Sequence, residues 1–395
     1  MSGLPDPTTS FKLQTIPAEC RSDEYNEIAW GIPKYGGQTP EHVPMWIPRP
    51  KVTDFTVKYE LVYSGICHSD CHTGTNDWFA CVYPCVLGHE HAGIVTEVGA
   101  RVTKVKVGDR VGVGCFIDAC LECKMCKKGE EQYCEKGMTG TFNGNKIHGR
   151  VGGNQELTTF GGYSATNVVH EYFVMKIPDS IPFDRAAPLF CAAITLYDPL
   201  RHWGATKEDR DKMVIGVVGV GGLGTMGIKL AKAFGHDVVV VSRSMDKEKA
   251  AKEKGADYYV ASSDTNSIKS CPVKCDLILN TVGAKHDINV YIPLLAQDGT
   301  IVQLGGLVYP HTVSQFGLMM KRQKIAGSLI GGIKATEECL EVCAKHSIYP
   351  DVQVIEAKDI DWAWQQLIGP SGNKDAVRYV IDVKKSLENK NFLPK

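Results

Sequence analysis

Apolar and polar residues follow one rhythm in the first half of the chain and another in the second. From Asp54 to Tyr63 the pattern F-x-V-x-Y-x-L-x-Y puts an apolar side chain at every second position, the period of a half-buried strand. A-G-I-V-T-E-V-G after His89 and V-K-V-G-D-R-V-G-V-G from Val105 continue with short β-rich runs broken by glycine turns. Together they predict a barrel-like β domain. At Lys212 the rhythm changes: K-M-V-I-G-V-V-G-V-G-G-L-G is a β-branched run that ends in glycines, and helix-forming residues follow from Thr225 to Phe234. V-V-V-V at 238–241, the helical D-K-E-K-A-A-K-E-K, and the strand-like C-D-L-I-L-N-T-V, G-T-I-V-Q-L-G-G and K-I-A-G-S-L-I-G then alternate. That βαβ rhythm predicts a parallel sheet covered on both faces.

Beyond Thr336 the pattern T-E-E-C-L-E-V-C-A-K is an amphipathic helix and V-R-Y-V-I-D-V one more strand, expected to return to the first domain. The expected boundaries are residues 1–187, completed by 334–395, for the β domain and 188–333 for the parallel-sheet domain. Trp30–Pro50 shows neither period and reads as a surface excursion packed by its own aromatics.

Composition narrows the class. With 395 residues, 43% hydrophobic and 23% charged, the chain is long enough for two separate cores. A formal net charge of −1 gives no basic surface for nucleic acid or an anionic membrane, so neither is expected as a partner. The opening M-S-G-L-P-D-P-T-T-S lacks an apolar core, no long apolar run follows, and the closing N-F-L-P-K matches no targeting address; a cytoplasmic protein is expected. Fifteen cysteines then read as metal ligands or buried thiols rather than disulfides.

Two cysteine groups carry the chemistry. Cys120, Cys123, Cys126 and Cys134 are spaced C-x2-C-x2-C-x7-C, compact enough for four thiolates to close a tetrahedron around a structural zinc. Lys124, Lys127 and Lys128 lie among them and are expected to lower the thiol pKa values. Upstream, Gly65–Glu90 opens G-I-C-H-S-D-C-H and closes V-L-G-H-E, offering Cys67 and His89 with Asp70, His72 and Glu90 beside them. This donor set suits an open, reactive zinc site, with Cys191 in A-P-L-F-C-A-A-I-T as the distant second thiol. His68, Cys71 and His72 are also eligible by residue type. Cys71, Cys81, Cys85 and Cys115 read as buried packing, as do Cys271, Cys275, Cys339 and Cys343. Trp78, Phe79, Phe116 and Phe142 are candidates for an aromatic pocket wall, with ordinary core as the alternative.

The glycines after the first parallel strand fit G-x-G-x-x-G on Gly219, Gly221 and Gly224. They stand where a strand turns into a helix and the backbone can approach a pyrophosphate. At the tip of the next strand, Ser242-Arg243-Ser244 and then Lys247 supply hydroxyls and cations in place of an acid, which favours NADP(H) over NAD.

With G-I-C-H-S-D-C-H, Y-P-C-V-L-G-H-E, V-G-V-G-C-F-I-D-A-C-L-E-C-K-M-C, F-G-G-Y-S, A-P-L-F-C-A-A-I-T-L-Y-D-P-L-R-H-W, V-G-V-G-G-L-G and G-S-L-I-G in register over roughly residues 55–385, the chain resembles the zinc-dependent medium-chain alcohol dehydrogenases, in particular their cinnamyl alcohol dehydrogenase branch. The resemblance implies an α/β protein: a GroES-like β-barrel catalytic domain joined to a Rossmann, doubly wound parallel-sheet cofactor domain. It implies two zinc ions per chain, the catalytic one held by Cys67, His89 and Cys191 with Glu90 entering transiently, and NADP(H) as cofactor. Ser69 would touch the substrate oxygen, His72 pass a proton to solvent, and Asp70 orient the ligand histidine. Gly219, Val220, Gly221, Gly222, Leu223 and Gly224 would hold the pyrophosphate, and Ser242, Arg243, Ser244 and Lys247 the ribose phosphate. Thr195, Thr281, Gly305, Ser328, Leu329 and Ile330, with Ser69, would line the rest of the groove. It further implies a homodimer pairing near the strand that begins at Lys324, and an aldehyde or primary alcohol as substrate. The rival readings are an NADPH-dependent reductase of activated double bonds on the same scaffold and a non-catalytic NADPH-binding protein.

Overall fold

The computed structural model describes residues 12–13, 26–78, 80–153, 155–209, 211–307, 309–368 and 377–388. The terminal stretches behind the expectations about export and targeting, and Phe79, lie outside them. The chain forms two compact units, one of Met1–Cys191, Gly332–Glu341 and Asp351–Lys395, the other of Ala192–Gly331 and Val342–Pro350.

In chain order the first unit has β1 (Glu27–Gly31), β2 (Val43–Ile47), β3 (Thr56–Gly65), α1 (His68–Gly74), β4 (His91–Val98), β5 (Arg110–Val113), β6 (Thr166–His170) and β7 (Met175–Lys176). The second has α2 (Ala192–His202), β8 (Val214–Val218), α3 (Gly222–Ala233), β9 (Asp237–Ser242), β10 (Tyr258–Ala261), β11 (Cys275–Asn280), β12 (Leu295–Gln303), α4 (Gln315–Met319) and β13 (Lys324–Gly327). Then come α5 (Ile333–His346), β14 (Val352–Ile355), α6 (Ile360–Ile368) and β15 (Arg378–Asp382).

The first unit is built on a seven-stranded mixed sheet in the order β7-β5-β4-β3-β15-β14, with β6 also paired to β3. The expected return of the last strand is seen: Val380 pairs with Gly65 and Asp382 with Tyr63, antiparallel, at the end of β3 that leads to Cys67. In the second unit all strands are parallel, in the order β10-β9-β8-β11-β12-β13. Numbered by sequence within the sheet this is 3-2-1-4-5-6, the dinucleotide-binding order. Its central strands are apolar on both faces: Ile215, Val217, Val239, Val241 and Ile278 are fully or almost fully buried. That explains the unbroken apolar runs of the second half.

Trp30–Pro50 departs from expectation. It is no loose excursion: β1 and β2 pair antiparallel from Glu27–Ile47 to Gly31–Val43, and Met45, Trp46 and Ile47 are buried. The alternation was illegible because each strand has only five residues and Pro44 interrupts the second. Just beyond β2, Arg49 donates to the carbonyls of Thr166, Phe160 and Gly161 at 2.9, 2.8 and 2.9 Å and to Ser164 Oγ at 2.6 Å. Burial pulls its guanidinium pKa down to about 10, which leaves it charged at neutral pH. The loop it grips backs the segment leading to His89, through Gly161 N to Val86 O, Gly162 N to Gly88 O and Tyr163 N to Leu87 O at 2.8, 3.0 and 3.0 Å. No side chain fits at position 161, because a Cβ there would stand 2.3 Å from Gly88 O.

Replacing Arg49 with Met would orphan these acceptors, so Arg49→Met is expected to lose about 3 kcal/mol of stability. Urea denaturation checks it; a loss under about 1 kcal/mol would mean water replaces the guanidinium without penalty.

Candidate active site

The first ligand segment is set by a helix cap. Cys67 is the N-cap of α1, and the Asp70 carboxylate turns back to accept from Cys67 N at 2.7 Å through Oδ2. The other oxygen, Oδ1, accepts from Gly88 N at 3.0 Å and from His89 Nδ1 at 3.2 Å. One fully buried carboxylate thus fixes both segments and the tautomer of His89: the proton sits on Nδ1, and Nε2 is the free acceptor.

Around that Nε2 the structure gathers Cys67, His89, Glu90 and Cys191, with one donor atom from each within 4.8 Å of the others. Cys67 Sγ and Cys191 Sγ are 3.9 Å apart. Two thiolates bound tetrahedrally at about 2.3 Å would stand roughly 3.8 Å apart, so the pair has the separation a zinc ion requires. His89 Nε2 and both Glu90 oxygens are buried without a hydrogen-bond partner, which also fits a cation between them. The hydrogen bond from Cys191 holds the Cys67 thiol well below its usual range. Burial pushes Glu90 up to about 8, against the pull of Arg378, whose Nη1 lies 3.5 Å from Glu90 Oε1. Position 65 must be glycine, since a Cβ there would stand 1.9 Å from Glu90 Oε2.

All four donors, Cys191 included, lie in the first unit. The sequence boundary had put Cys191 on the cofactor side. The contacts place the break four residues later, after Cys191, because Cys191 closes a short helical turn, Ala187–Phe190, that packs on β3, β4 and β5.

Ser69 sits on the first turn of α1, its Oγ accepting from Cys67 Sγ at 3.6 Å. His72 follows one turn on, with Nδ1 3.2 Å from Asp77 Oδ2 and its ring stacked on Trp78 at 4.6 Å and 17°. Gln38, in the β1–β2 loop, donates to the other Asp77 oxygen at 3.0 Å. His68 points away, toward Leu367 O, and Cys71 is buried, so neither joins the ligand group.

Several residues at the site carried no sequence signal. Asp77 is an ordinary turn acid until its contact with His72 is seen, and Arg378 comes from a strand at the far end of the chain. Cys115, read as buried packing, is instead partly exposed, with its Sγ 4.0 Å from Phe190 O, and it stands outside both ligand groups. Of the candidate wall aromatics, Phe142 packs 5.4 Å from the His89 ring and Trp78 on His72, whereas Phe116 is core against Phe173.

The second cysteine group is closed. Cys120, Cys123, Cys126 and Cys134 meet within 4.8 Å, with Cys120 Sγ and Cys126 Sγ 3.8 Å apart. Backbone amides of Cys120, Cys123 and Glu135 donate to three of the sulfurs at 3.3–3.4 Å. Backbone amides, rather than the neighbouring lysines, lead the lowering at two of the thiols: Glu122 first for Cys120, and Cys126 and Glu135 for Cys123, which is drawn down to about 6, whereas burial pushes Cys126 and Cys134 up. Lys124, Lys127 and Lys128 are exposed, and water screens them.

In the second unit the residues expected to bind the cofactor lie, apart from Thr195 on α2, at the carboxyl ends of the parallel strands. Gly219 has φ +96°, and its amide donates to Val241 O at 2.9 Å, which makes the turn from β8 toward α3. A Cβ at Gly224 would stand 2.0 Å from Gly219 O, so close packing requires that glycine, while one at Gly221 would meet open space. Val220, Gly222 and Leu223 complete the turn. Thr281 Oγ1 donates to Val218 O at 2.7 Å, Gly305 N to Asn280 O at 3.1 Å and Ser328 N to Gln303 O at 3.2 Å. Leu329 is exposed and Ile330 holds φ +39°, while Thr195 is buried on α2. At the tip of β9, Arg243 and Ser244 are exposed and Lys247 is partly so. The acid absent from the tip stands two residues on, as Asp246, whose carboxylate accepts from Ser244 Oγ at 2.8 Å.

A barrel unit with one open and one closed four-donor cluster, and a parallel-sheet unit with a phosphate turn, define a zinc-binding, nicotinamide-dependent oxidoreductase. Residues 54–179 match the alcohol dehydrogenase GroES-like domain and 222–345 the zinc-binding dehydrogenase domain. The NADP-dependent alcohol dehydrogenase C 1 of Mycolicibacterium smegmatis is 45% identical over 85% of this chain and 93% of its own. The aldehyde reductase YahK of Escherichia coli is 44% identical over 86% and 94%. A cinnamyl alcohol dehydrogenase structure from Sorghum bicolor superimposes with a TM-score of 0.84 at 34% identity, over 91% of this chain and 98% of that one. The chain belongs to the zinc-dependent medium-chain alcohol dehydrogenases, in the branch of the cinnamyl alcohol dehydrogenases. The expected fold, a GroES-like domain with a Rossmann cofactor domain, is the one found.

Behind the ligands, His91 is fully buried; Tyr59 OH donates to its Nδ1 at 2.8 Å, and its Nε2 donates to Gly88 O at 3.1 Å. Burial holds its pKa down at about 3, so the folded protein keeps it neutral. The unfolded chain binds a proton near pH 6.5 and the folded one does not. Stability from this group is therefore complete above about pH 6.5 and falls toward about pH 3, by at most about 1.4 kcal/mol per pH unit. Denaturation of wild type and His91→Gln between these limits checks it; parallel pH dependences would assign the acid loss to other groups.

Proposed function

We propose that the protein is an NADPH-dependent aldehyde reductase, and in reverse a primary-alcohol dehydrogenase, that binds two zinc ions per chain and works as a cytoplasmic homodimer. The observation that carries this reading is the open cluster of Cys67, His89, Glu90 and Cys191, with the Ser69 hydroxyl beside it. Zinc in that cluster supplies Lewis acidity toward a carbonyl oxygen, and NADPH supplies the hydride.

The chain's own residues hold and move the proton. Ser69 is placed to hydrogen-bond the substrate oxygen, and His72, one turn along α1, connects that hydroxyl to solvent. Asp77 holds the His72 proton on Nδ1, which leaves Nε2 to take and give the proton in transit. Asp70 orients His89, and Arg378 balances Glu90 so that this carboxylate can stay near the ligands without shutting the site. Trp78 and Phe142 give the substrate an aromatic wall.

On the cofactor side, Gly219–Gly224 receive the pyrophosphate at the amino end of α3. Ser242, Arg243, Ser244 and Lys247 receive the ribose 2′-phosphate, while Thr195, Thr281, Gly305 and Ser328–Ile330 line the remaining groove. The dimer reading rests on the sheet edge at β13 together with α4: Phe316, Met319 and Met320 are 70%, 73% and 68% exposed, a costly patch for a monomer.

Metal analysis is expected to give two zinc ions per chain, and steady-state kinetics at limiting cofactor to favour NADPH over NADH by roughly tenfold or more. Ser69→Ala is expected to lower turnover by about 100-fold with NADPH binding retained. Equal use of NADH would reject the phosphate assignment, and unchanged turnover in the variant would reject the role of Ser69.

A further inference from the structure

The carbonyls of Ser242, Arg243 and Ser244 are all taken up by residues of β10 and the turn after it. Ser262 N donates to Ser242 O at 2.7 Å, Ser263 Oγ to Arg243 O at 2.6 Å and Tyr259 OH to Ser244 O at 2.8 Å. The backbone at the tip of β9 is therefore fixed, while Arg243, Ser244 and Asp246 are exposed and Lys247 is partly so. Ser244 precedes a short helical turn, Met245–Lys247, but its hydroxyl accepts from none of that turn's amides. Its one proton goes instead to Asp246, whose Oδ2 accepts from Ser244 Oγ at 2.8 Å. Among the described residues no ion pair ties Asp246 to Arg243 or Lys247, so the carboxylate engages the hydroxyl and leaves both cations open.

We propose that Asp246 is a specificity-determining residue that limits the selection of NADPH over NADH by holding the Ser244 proton. The inference rests on the assignment of Ser242, Arg243, Ser244 and Lys247 to the ribose 2′-phosphate. A phosphate ester carries about 1.5 to 2 negative charges at pH 7 and is chiefly a hydrogen-bond acceptor. It needs the proton of the Ser244 hydroxyl, and in this structure that proton is already directed to a carboxylate of the same sign as the ligand. A ribose 2′-hydroxyl makes no such demand. It can donate to Ser244 Oγ or to the carboxylate, the role an acid plays at a strand tip that takes NADH. The segment thus combines two cations that attract the phosphate with one anion that opposes it, and the selection between cofactors is the difference of the two effects. Neutralising Asp246 releases the hydroxyl to the phosphate and removes the repulsion, while Tyr259 and Ser263 keep the backbone in place.

The test is equilibrium binding to the full-length, zinc-loaded protein without aldehyde or alcohol, with 2′,5′-ADP and 5′-AMP as probes that differ only in the 2′-phosphate. Asp246→Asn is expected to tighten 2′,5′-ADP by about fivefold and to leave 5′-AMP no tighter. NADPH and NADH, titrated by their own fluorescence, should follow the two probes. In a Ser244→Ala background the gain should fall to about twofold, the part that direct repulsion supplies without the hydroxyl. Thermal unfolding confirms that these exposed substitutions leave the fold intact. A wild type that prefers 2′,5′-ADP, with an Asp246→Asn variant that prefers it no more strongly, defeats this inference only. A gain as large without Ser244 as with it also overturns it, since the effect would then be charge alone. If 2′,5′-ADP binds no tighter than 5′-AMP to either protein, the phosphate assignment itself falls.

Discussion

The Asp70 carboxylate is the constraint on which the rest of the site depends. It is buried completely, and it is kept there by three donors: the amides of Cys67 and Gly88 and the Nδ1 proton of His89. A charge in that position would be prohibitive without them. The three donors come from two stretches of chain that otherwise have no reason to meet. Satisfying one anion therefore sets the start of α1, the turn before β4 and the orientation of the ligand imidazole at once. Ser69 and His72 inherit their placement from the same helix, so the donor cluster and the side chains proposed to carry the proton have one origin.

Support for that anion reaches outward in layers. The loop 160–166 covers Gly88, Arg49 grips that loop, and the β1–β2 ribbon delivers Arg49. A segment without a readable period thus turns out to back the metal-binding turn. On the other side the same ribbon lends Gln38 to Asp77, the partner of His72. The ribbon serves both faces of the site because its strands are fixed to the barrel while its connecting loop is free to reach forward.

Much of this was legible in the sequence, for reasons that differ by residue. The parallel unit could be read because its strands are apolar on both faces, and the glycine turn because only glycine tolerates the φ of Gly219 and the closeness of Gly224 to it. The closed cysteine cluster was legible because its ligands are local in sequence. Cys67 and His89 came from donor type, which also called for a distant second thiol, and the family pattern supported Cys191 in that place. What stayed hidden depended on distant partners: Arg378 beside Glu90, Asp77 beside His72, and Cys115, a thiol among many until burial distinguished it. The β1–β2 ribbon was hidden because five-residue strands with an internal proline give too short a period to count. The lysines misled in the other direction, as charges near in sequence that water renders ineffective.

The interleaving of the two units sets an order of events during biosynthesis. Cys67, His89, Glu90 and Cys191 have all been synthesised before the second unit begins, yet Arg378, the cation that offsets Glu90, arrives on a strand made after that unit is finished. Until then the edge of β3 that receives β15 is unpaired and Glu90 lacks its counter-ion. The four donors are thus synthesised early, but their surroundings are complete only when the last strand closes the sheet. Completion of the chain is what gives the donor cluster its counter-charge and its closed sheet edge.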